Sequence, residues 1–461
     1  MDYDMGGDCG DPPPLVLSTD TALLVDREAL AAYGARGPED VSCCYTAMWR
    51  VRPGVAVPDW PRGHTMPPTR EGPLFDGITH GDHIRFGDRC EPFFEAAAVV
   101  HEFVRVNCTR LGARSMLGYN KVEDNTFPNL VALLSGMSVP ELRKTCWGSD
   151  NTAHFDACPW VWKRFRREGY VNMFAEDSAW MGLFHYLKRG FVLQPTEYDP
   201  RPLLYLGGKH LGRALRRGSH QVCIGQRREL DVLLDYGRKF VRAMQRDRRK
   251  FFGIVWGSSM SHDDLNSASA ADEAYADYLG DVLATGVLNR TALVFISDHG
   301  LRFGDILTTR QGRLEERLPL MYTVLPEWVR RRYPRAVRNL EGNANRLVTL
   351  YDVHETLYNY MHLPSLRALE GPPPPPASGA PPPRGRSLFS QIPDDRTCAT
   401  AGVPKHYCAC QTTVAVPADD HRRVRGLRAP PPPDALHFKT QSSLISVPAG
   451  CSRWPSSSSA R

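Results

Sequence analysis

The chain has 461 residues, which is enough for one large domain with additions or for two domains. Hydrophobic residues make up 42% of it, so it can bury a sizeable core. The formal net charge of +6 comes from 57 basic and 51 acidic residues, and the basic residues form scattered arginine clusters instead of one patch interleaved with aromatic residues. This charge pattern argues against nucleic-acid binding.

The two ends of the chain are expected to be disordered, and a small module follows the first of them. Residues 1–37 are rich in Gly, Pro and Asp, and residues 428–461 are rich in Pro and Ser, compositions typical of segments without a packed core. Residues 38–110 hold four cysteines and strand-like runs at 45–51 and 97–106. These features predict a small β-rich N-terminal module.

The pattern of residues 111–370 predicts an α/β core. Apolar runs that look like buried strands alternate with amphipathic helical stretches, which favours a mostly parallel sheet with helices on both faces. The strand-like runs are 130–134, 170–175, 252–256, 292–296 and 320–325, and helices are expected at 270–284 and 352–361. Residues 371–386 are interpreted as a Pro-rich linker, and residues 387–427 as a tail that contains cysteines.

The twelve cysteines are typical of a protein from an oxidising compartment. They are spread along the chain and no pair has the CxxC spacing of a zinc ribbon, so a disulfide framework is expected. Asn107 and Asn289 begin sequons for N-glycosylation, which agrees with that location. Residues 1–20 show no signal peptide, and no run reaches transmembrane length. We therefore expect an extracellular or secretory-pathway protein without a membrane span, whose sequence is incomplete at the N-terminus.

One strand-like run ends in an Asp–His pair and is the most informative stretch of the chain. Leu293–Ile296 is continuously apolar, which predicts a strand buried on both faces. Asp298 and His299 follow, and a carboxylate and an imidazole at the carboxyl end of a parallel strand can share one divalent cation. Gly300 lets the backbone turn sharply behind them. A helix-capping Asp beside a surface His is the alternative, and the dipeptide alone leaves both open.

The hydroxyl of Thr126 is a second candidate. A proline at position 128 and an apolar helical run follow it, so the hydroxyl is expected at a helix N-terminus, where backbone N–H groups and the helix dipole favour an anion. Beside a divalent cation, such a hydroxyl can lose its proton and attack phosphorus or sulfur. On the sequence alone, a plain helix cap is the commoner role. The polar residues assigned to substrate binding are Asn125, Asn129, Lys121 and Arg302.

His262 and Asp263, just beyond the run 252–256, are a third candidate. Their place at a strand end suits residues of a cleft. The sequence is equally compatible with Asp263 or Asp264 capping the next helix beside a surface His262.

Other polar residues are assigned structural roles. Glu176 and Asp177 follow the run 170–175, and the start of the next helix is favoured for them over a place in a cleft. His354 falls inside the helix expected at 352–361 and is interpreted as a structural histidine.

Five stretches of the chain form a combination that is more specific than any one of them. They lie at residues 118–130, 155–160, 297–304, 311–319 and 398–410. Together they closely resemble the animal DUF229 family, over roughly residues 85–430. That family belongs to the alkaline phosphatase/sulfatase-like superfamily. The resemblance implies an alkaline-phosphatase-like α/β/α sandwich and a phosphate- or sulfate-ester hydrolase or transferase with a metal-bound nucleophile.

The resemblance also implies roles for the candidate residues. Thr126 stands where the superfamily has its nucleophile, and the absence of the sulfatase cysteine favours a phosphodiesterase or phosphoethanolamine-transferase branch over a formylglycine sulfatase. Asp298 and His299 match the metal pair, with Thr126 as a further ligand. His262 matches a histidine that approaches the transferred group or a second metal. The implied cofactor is a divalent cation, Zn or Mn/Mg, and the implied partner is a small phosphate or sulfate ester or a glycan.

Three departures separate the chain from the superfamily pattern. The first strand and its acidic metal ligand are missing ahead of residue 118, Leu130 replaces an arginine, and Ser258 or Ser259 stands where a two-metal phosphodiesterase has Asp. Three hypotheses remain: a metal-dependent phosphoester hydrolase or transferase, a non-catalytic extracellular binding protein on the same fold, and an incomplete form of an active enzyme. Loss of a central strand also predicts exposed apolar surface and low solubility.

Overall fold

The computed structural model describes residues 16–18, 23–33, 43–51, 83–93, 113–149, 151, 153–211, 216–217, 220–221, 223–225, 227–263, 271–370, 383–415 and 444–448. The run 97–106, the sequon at Asn107, Asp264 and most of the chain ends and of the Pro-rich linker lie outside the described residues. The chain divides into two compact units. The first comprises Met1–Ala113, Met137–Val294 and Thr323–Arg332, and the second comprises Arg114–Gly136, Phe295–Tyr322 and Tyr333–Arg461.

The strands are short, and most of them pair as hairpins or in small sheets. In chain order they are β1 (Val16–Ser18), β2 (Leu23–Val25), β3 (Cys43–Val51), β4 (His83–Phe93), β5 (Arg114–Ser115), β6 (Tyr119–Asn120), β7 (Val171–Glu176), β8 (Arg216–Arg217), β9 (His220–Gln221), β10 (Cys223–Ile224), β11 (Arg227–Arg228), β12 (Phe251–Trp256), β13 (Leu293–Ile296), β14 (Met321–Val324), β15 (Val348–Thr349), β16 (Gln411–Ala415) and β17 (Leu444–Pro448).

Helices alternate with these strands along most of the chain. They are α1 (Thr126–Ser135), α2 (Val139–Leu142), α3 (Val161–Arg167), α4 (Arg201–Leu211), α5 (Glu229–Arg246), α6 (Asp272–Ala284), α7 (Arg310–Arg317), α8 (Glu327–Arg332), α9 (Pro334–Gly342), α10 (Leu350–Met361) and α11 (Leu366–Glu370). Arg143–Trp147 is a π-helix, and short 3₁₀ helices lie at Leu30–Tyr33, Phe155–Ala157, Ala179–Met181, Val287–Asn289, Asp305–Thr308, Asn343–Asn345, Leu363–Ser365 and Lys405–Tyr407.

The expected α/β class is confirmed. β12 pairs with β7 in parallel over six residues, from Phe251 opposite Val171 to Trp256 opposite Glu176. β15 pairs with β6 in parallel, and a three-stranded sheet has the order β13–β14–β5. The strands expected at 170–175, 252–256, 292–296 and 320–325 are β7, β12, β13 and β14, and the expected helices are α6 and α10.

The strand expected at 130–134 is wrong, because these residues belong to α1. Asn125 caps the start of that helix by accepting a hydrogen bond from Phe127 N–H, and Gly136 ends it in the left-handed conformation with φ 69°. A run of five apolar residues suits either a strand or a buried helical turn. The capping residues on its two sides decide for the helix.

β13 differs from the expectation of a strand buried on both faces. Each residue of Leu293–Ile296 is half-buried, and β13 lies at the edge of its sheet among the described residues. An edge strand pairs on one side only and therefore keeps part of its surface accessible. Partial exposure of this apolar strand agrees with the expectation of exposed apolar surface.

The core of the first unit forms around β7, β12 and α5. Apolar residues of α5 recur at helical spacing, so one face of the helix is buried. That face packs into a cluster with Met173 and Ala175 of β7 and with Val282 of α6. A second cluster of aromatic rings surrounds Trp160, and the disulfide between Cys146 and Cys158 closes the loop that precedes it.

In the second unit, the cysteine-containing tail packs on α10. Arg396 donates to both oxygens of Asp352, at 2.8 and 2.9 Å, and the side chains of this pair are 5% and 0% exposed. Arg386 N–H donates to Asp352 as well, and Leu388 N–H donates to Thr356 Oγ1. The tail is therefore an integral part of this unit.

A disulfide framework is confirmed for part of the cysteines. Cys146 pairs with Cys158 and Cys398 with Cys408, and Cys223 and Cys410 are disulfide-bonded too. Within the described ranges, no helix combines the length and the hydropathy needed to cross a membrane.

Candidate active site

The Asp–His pair follows β13 at a point where two backbone segments come very close. A Cβ atom on Gly300 would lie 2.3 Å from the carbonyl oxygen of Glu315, and Gly300 N–H donates to the carbonyl of Glu316 at 3.1 Å. Glycine is therefore required at position 300 by close backbone packing against α7. This packing fixes the loop that carries Asp298 and His299.

Thr126 begins α1 and faces His299. Its Oγ1 lies 3.3 Å from His299 Nε2, and its side chain is half-buried. The role of helix cap, which the sequence left open for Thr126, belongs to its neighbour Asn125. Because Asn125 accepts the hydrogen bond from Phe127 N–H, the hydroxyl of Thr126 is available for other partners.

The tautomer of His299 follows from its second nitrogen. Nδ1 lies 2.7 Å from the carbonyl oxygen of Gly300, which can only accept a hydrogen bond. Nδ1 therefore carries the proton, and Nε2 turns its lone pair towards Thr126 and Asp298. In this form Nε2 can accept the hydroxyl proton of Thr126 or bind a cation.

The donor set at this point fits a divalent cation. Asp298 Oδ2 is buried, has no hydrogen-bond partner among the described residues, and lies 3.4 Å from His299 Nε2. In a tetrahedral site with bonds of about 2.0–2.1 Å, neighbouring ligand atoms lie about 3.3–3.4 Å apart. The spacings of Thr126 Oγ1 and Asp298 Oδ2 from His299 Nε2 match that value. A buried carboxylate oxygen without a partner is costly unless something binds it.

The set is short of one acidic ligand. Within the described part of the chain, the only three His, Cys, Asp or Glu residues whose ligand atoms come together are Cys398, Cys408 and Cys410. Two of these form a disulfide with each other and cannot bind a cation as thiolates. Asp298 and His299 are therefore two candidate ligands beside the hydroxyl of Thr126.

Two ion pairs hold the segment that leads to Thr126. The ammonium group of Lys121 is fully buried, forms an ion pair with Glu316 and also donates to the carbonyl of Asp124. Burial lowers the pKa of Lys121, and the hydrogen bond to Glu316 opposes that shift. Arg302 donates to Asp124 Oδ2 at 2.7 Å. These contacts fix residues 121–124 against the loop that follows β13 and α7.

These contacts change the roles expected for the substrate-binding residues. Asn129 is fully buried, and its amide group bonds only backbone groups, those of Val122, Glu123 and Asn125. Lys121 likewise points into the protein. Both are positioning residues in this structure, whereas Arg302 is half-buried and Asn125 is exposed.

Tyr119 and Tyr407 lie close to this site, and neither was singled out from the sequence. Tyr119 is fully buried, and its hydroxyl has no hydrogen-bond partner among the described residues. Burial, followed by the charge of Asp298, raises its pKa well above the usual value. The ammonium group of Lys121 lies over the aromatic ring of Tyr407, with Nζ 4.8 Å from the ring centroid. A tyrosine in a motif gives no sign of such contacts until the chain is folded.

His262 belongs to the first unit, where it follows β12. Its Nδ1 lies 2.5 Å from Asp263 Oδ1, and the ring is half-buried. A carboxylate at this distance can orient the imidazole ring.

Asp177 shapes the same loop, so the expectation that Glu176 and Asp177 start a helix is wrong. Asp177 accepts hydrogen bonds from the backbone N–H groups of Ser258 and Ser259 and from the Ser259 hydroxyl. Asp177 therefore joins the end of β7 to the loop after β12. His354 is structural, as expected, because its two ring nitrogens bond the carbonyl of Leu133 and the hydroxyl of Tyr358.

Comparison with known proteins identifies the family. The profile of the family described as "Protein of unknown function (DUF229)" matches residues 100–428, which is more than half of the chain. The chain therefore belongs to the DUF229 family. A search of curated proteins finds no match to it.

Several solved structures are similar to this one at low identity. Ps i-CgsB, solved in complex with k-i-k-neocarrahexaose, is 14% identical with a TM-score of 0.35, and the match covers 55% of this chain and 65% of that one. A Bacteroides thetaiotaomicron protein from a study of the metabolism of multiple glycosaminoglycans is 11% identical with a TM-score of 0.37, covering 61% and 76%. The C-terminal periplasmic domain of EcEptC from Escherichia coli, in complex with Zn, is 12% identical with a TM-score of 0.32, covering 54% and 71%. The chain thus spans less than two thirds of Ps i-CgsB, and likenesses at this level assign no activity.

Proposed function

We propose that this protein is a metal-dependent phosphoester hydrolase or transferase that uses Thr126 as its nucleophile. The observation that supports this proposal is the spacing of Thr126 Oγ1, His299 Nε2 and Asp298 Oδ2, together with the unpaired oxygen of Asp298. Asp298 and His299 would hold the cation, which is Zn or Mn/Mg. The sulfate-ester alternative is less favoured because no cysteine stands at position 126.

The residues of the chain divide the chemistry between them. A bound divalent cation would lower the pKa of the Thr126 hydroxyl and neutralise charge on the ester oxygens. His299 keeps its proton on Nδ1, so its lone pair faces the hydroxyl. Arg302 lies in the loop that follows β13 and forms an ion pair with Asp124. Its guanidinium group can also bind an anionic substrate. A role of His262 in the transfer stays a prediction from the sequence, since His262 belongs to the first unit.

The test is turnover of aryl phosphodiesters and monoesters by the zinc-loaded protein. Thr126→Ala removes the nucleophile, so kcat should fall by about 1,000-fold or more. Thr126→Ser is the matched control, because it keeps the hydroxyl and should retain measurable turnover. Equal rates for the wild type and Thr126→Ala would overturn the proposal.

A second candidate function is a non-catalytic extracellular binding protein. The observation that favours it is the lack of a third acidic or histidine ligand around Asp298 and His299 in the described residues. Under this hypothesis, the site around Asp298 and His299 binds a phosphate- or sulfate-bearing small molecule or glycan without turnover. Stoichiometric binding of an ester substrate that stays intact over hours, in the zinc-loaded protein, is the result that separates this candidate from the enzyme.

We also propose that the protein is a secreted glycoprotein. Asn289 ends the 3₁₀ helix Val287–Asn289 and is exposed, although the two residues before it are buried, so a glycan there would extend into solvent. The disulfides support an oxidising compartment, which is where such glycans are attached. Expression through a secretory pathway should give a band that shifts on glycosidase treatment, and Asn289→Gln should remove part of that shift.

A further inference from the structure

The loop between Cys398 and Cys408 is closed by a disulfide and ends in a short helix. The disulfide spans ten residues of sequence, and Val403 N–H donates to the carbonyl of Cys398 inside the ring. The 3₁₀ helix Lys405–Tyr407 leads into Cys408, whose N–H lies 3.4 Å from the carbonyl of Lys405. The loop can therefore present Tyr407 in one orientation, because the cross-link restricts its backbone.

Tyr407 is anchored to the segment that precedes Thr126. Asn120 is fully buried, and its side chain donates to the carbonyl of Tyr407 at 2.8 Å and accepts from Ala409 N–H at 2.9 Å. Arg317 of α7 donates to the carbonyl of His406 at 3.0 Å. Asn120 of β6 and Arg317 of α7 thus hold the backbone on both sides of Tyr407 through hydrogen bonds.

The side chain of Tyr407 contacts the next residues of the same segment. Lys121 Nζ lies 4.8 Å from its ring centroid, a distance at which a cation and an aromatic face attract each other. Burial, followed by the negative charges of Glu123 and Asp124, raises the pKa of Tyr407 to about 12. The phenol is therefore neutral at physiological pH.

We propose that Tyr407, presented by the disulfide-closed loop Cys398–Cys408, is a positioning residue for the Thr126 hydroxyl. This inference rests on the proposed function of Thr126. The carbonyl of Tyr407 accepts from the Asn120 side chain and its ring faces the ammonium group of Lys121, which in turn donates to the carbonyl of Asp124. The hydroxyl that must face His299 lies two residues further along the chain. A displacement of about 1 Å in a reacting group costs about 100-fold in rate, so this support matters for chemistry.

The test compares Tyr407→Ala, Tyr407→Phe and the double variant Cys398→Ser/Cys408→Ser. Tyr407→Ala should lower kcat by about 10–100-fold with KM changed less than about 3-fold, because it moves the nucleophile and spares substrate contacts. Tyr407→Phe keeps the ring over Lys121 and should recover most of that rate. The cysteine variant should resemble Tyr407→Ala. Tyr360→Ala is the matched control, since Tyr360 belongs to α10 and packs edge-on against the ring of Phe389.

Amide hydrogen exchange provides a readout that does not depend on turnover. In Tyr407→Ala, exchange at residues 120–126 should rise at least about 10-fold, while exchange in α10 should stay within about 2-fold of the wild type. Unchanged exchange at 120–126, or an equal loss of kcat in Tyr360→Ala, overturns the positioning role. If the wild type shows no turnover, the proposed reaction fails. A rise in exchange confined to residues 120–126 would still support the role of Tyr407 in holding that segment.

Discussion

At the scale of single residues, the ion pair between Asp352 and Arg396 attaches the cysteine-containing tail to α10. Both side chains are almost fully buried, and Arg396 has no other carboxylate partner among the described contacts. Asp352→Asn leaves the guanidinium buried without its counter-charge, so the free energy of unfolding should fall by about 3–5 kcal/mol. Urea denaturation measures this loss.

The Arg346–Asp394 pair is the control for that substitution. Its side chains are 23% and 49% exposed, so water screens the charges. Asp394→Asn should cost less than about 1 kcal/mol. Equal losses for the two substitutions would show that burial does not govern the strength of these pairs.

Glu176 predicts a dependence of stability on pH. Burial raises the pKa of its carboxyl from 4.5 to about 8, with the Leu183 N–H and Arg201 opposing and Asp199 and Asp177 adding to the rise. Since the folded pKa lies above the unfolded one, this contribution to stability is complete below about pH 4.5 and is lost as the pH rises through about 8. The loss should amount to a few kcal/mol, at about 1.4 kcal/mol per pKa unit.

Glu176→Gln mimics the protonated carboxyl and should flatten this dependence. Unfolding midpoints in urea, measured from pH 5 to pH 9, should then change less with pH than in the wild type. Glu341→Gln is the control, because Glu341 is 39% exposed in a surface pair with Arg114, and its pH profile should match the wild type. A wild-type profile that rises over this range contradicts the assignment. Part of the slope should remain in Glu176→Gln, because burial also raises the pKa of Glu229 to about 8.

At the scale of elements, the two ends of α1 have different requirements. Gly136 has φ 69°, and a Cβ atom there would lie 2.7 Å from the ring of His354. That ring cannot move away easily, because it bonds Leu133 and Tyr358. Gly136→Ala should therefore destabilise the protein by about 2–4 kcal/mol, combining the strained backbone with the clash.

Gly286 separates the backbone term from the clash. It has φ 70° and ψ 8°, against φ 69° and ψ 8° for Gly136, and the atom nearest to an added Cβ lies at 3.5 Å, an ordinary van der Waals distance. Gly286→Ala should cost only about 1 kcal/mol, the cost of a left-handed backbone for a residue with a side chain. Chemical denaturation of both variants measures the difference, and equal costs would mean that His354 yields to the new methyl group.

The positions of β7 and β12 could be predicted from the sequence, because the apolar runs at 170–175 and 252–256 are typical of buried strands. The helix at Thr126–Ser135 was harder to distinguish from a strand, because its apolar run is short and its caps are single residues, Asn125 and Gly136. The edge position of β13 could not be derived from its own residues, since it depends on which strands pair with it. The apolar pattern therefore locates the elements, whereas the type of a short element depends on its caps and the place of a strand in a sheet depends on its pairing partners.

At the scale of the whole molecule, the proximity of the candidate residues was predictable, whereas the contacts that hold them in place were not. Thr126, Asp298 and His299 were chosen from strand and helix ends, and the fold brings their side chains together across more than 170 residues of sequence. Asn129 and Lys121 were assigned to substrate, although burial and backbone partners give them positioning roles. Polar side chains near a motif look alike in sequence, and only their partners in the fold distinguish them. Tyr407 is the clearest case, because it reaches Lys121 from the far end of the chain.

A bound cation should stabilise the folded protein as a whole, whatever reaction the site performs. A ligand at 100 times its Kd adds about 2.7 kcal/mol to the free energy of unfolding, so zinc should raise the midpoint of thermal unfolding in proportion to the logarithm of its concentration. Asp298→Asn and His299→Ala each remove one of the two proposed ligands and should abolish the shift. His362→Ala is the control, since His362 is exposed at the end of α10 and should leave the shift intact. If zinc still raises the unfolding midpoint of both variants, the cation binds elsewhere. If zinc raises the midpoint only of the wild type and the control, the proposed site is supported even without turnover.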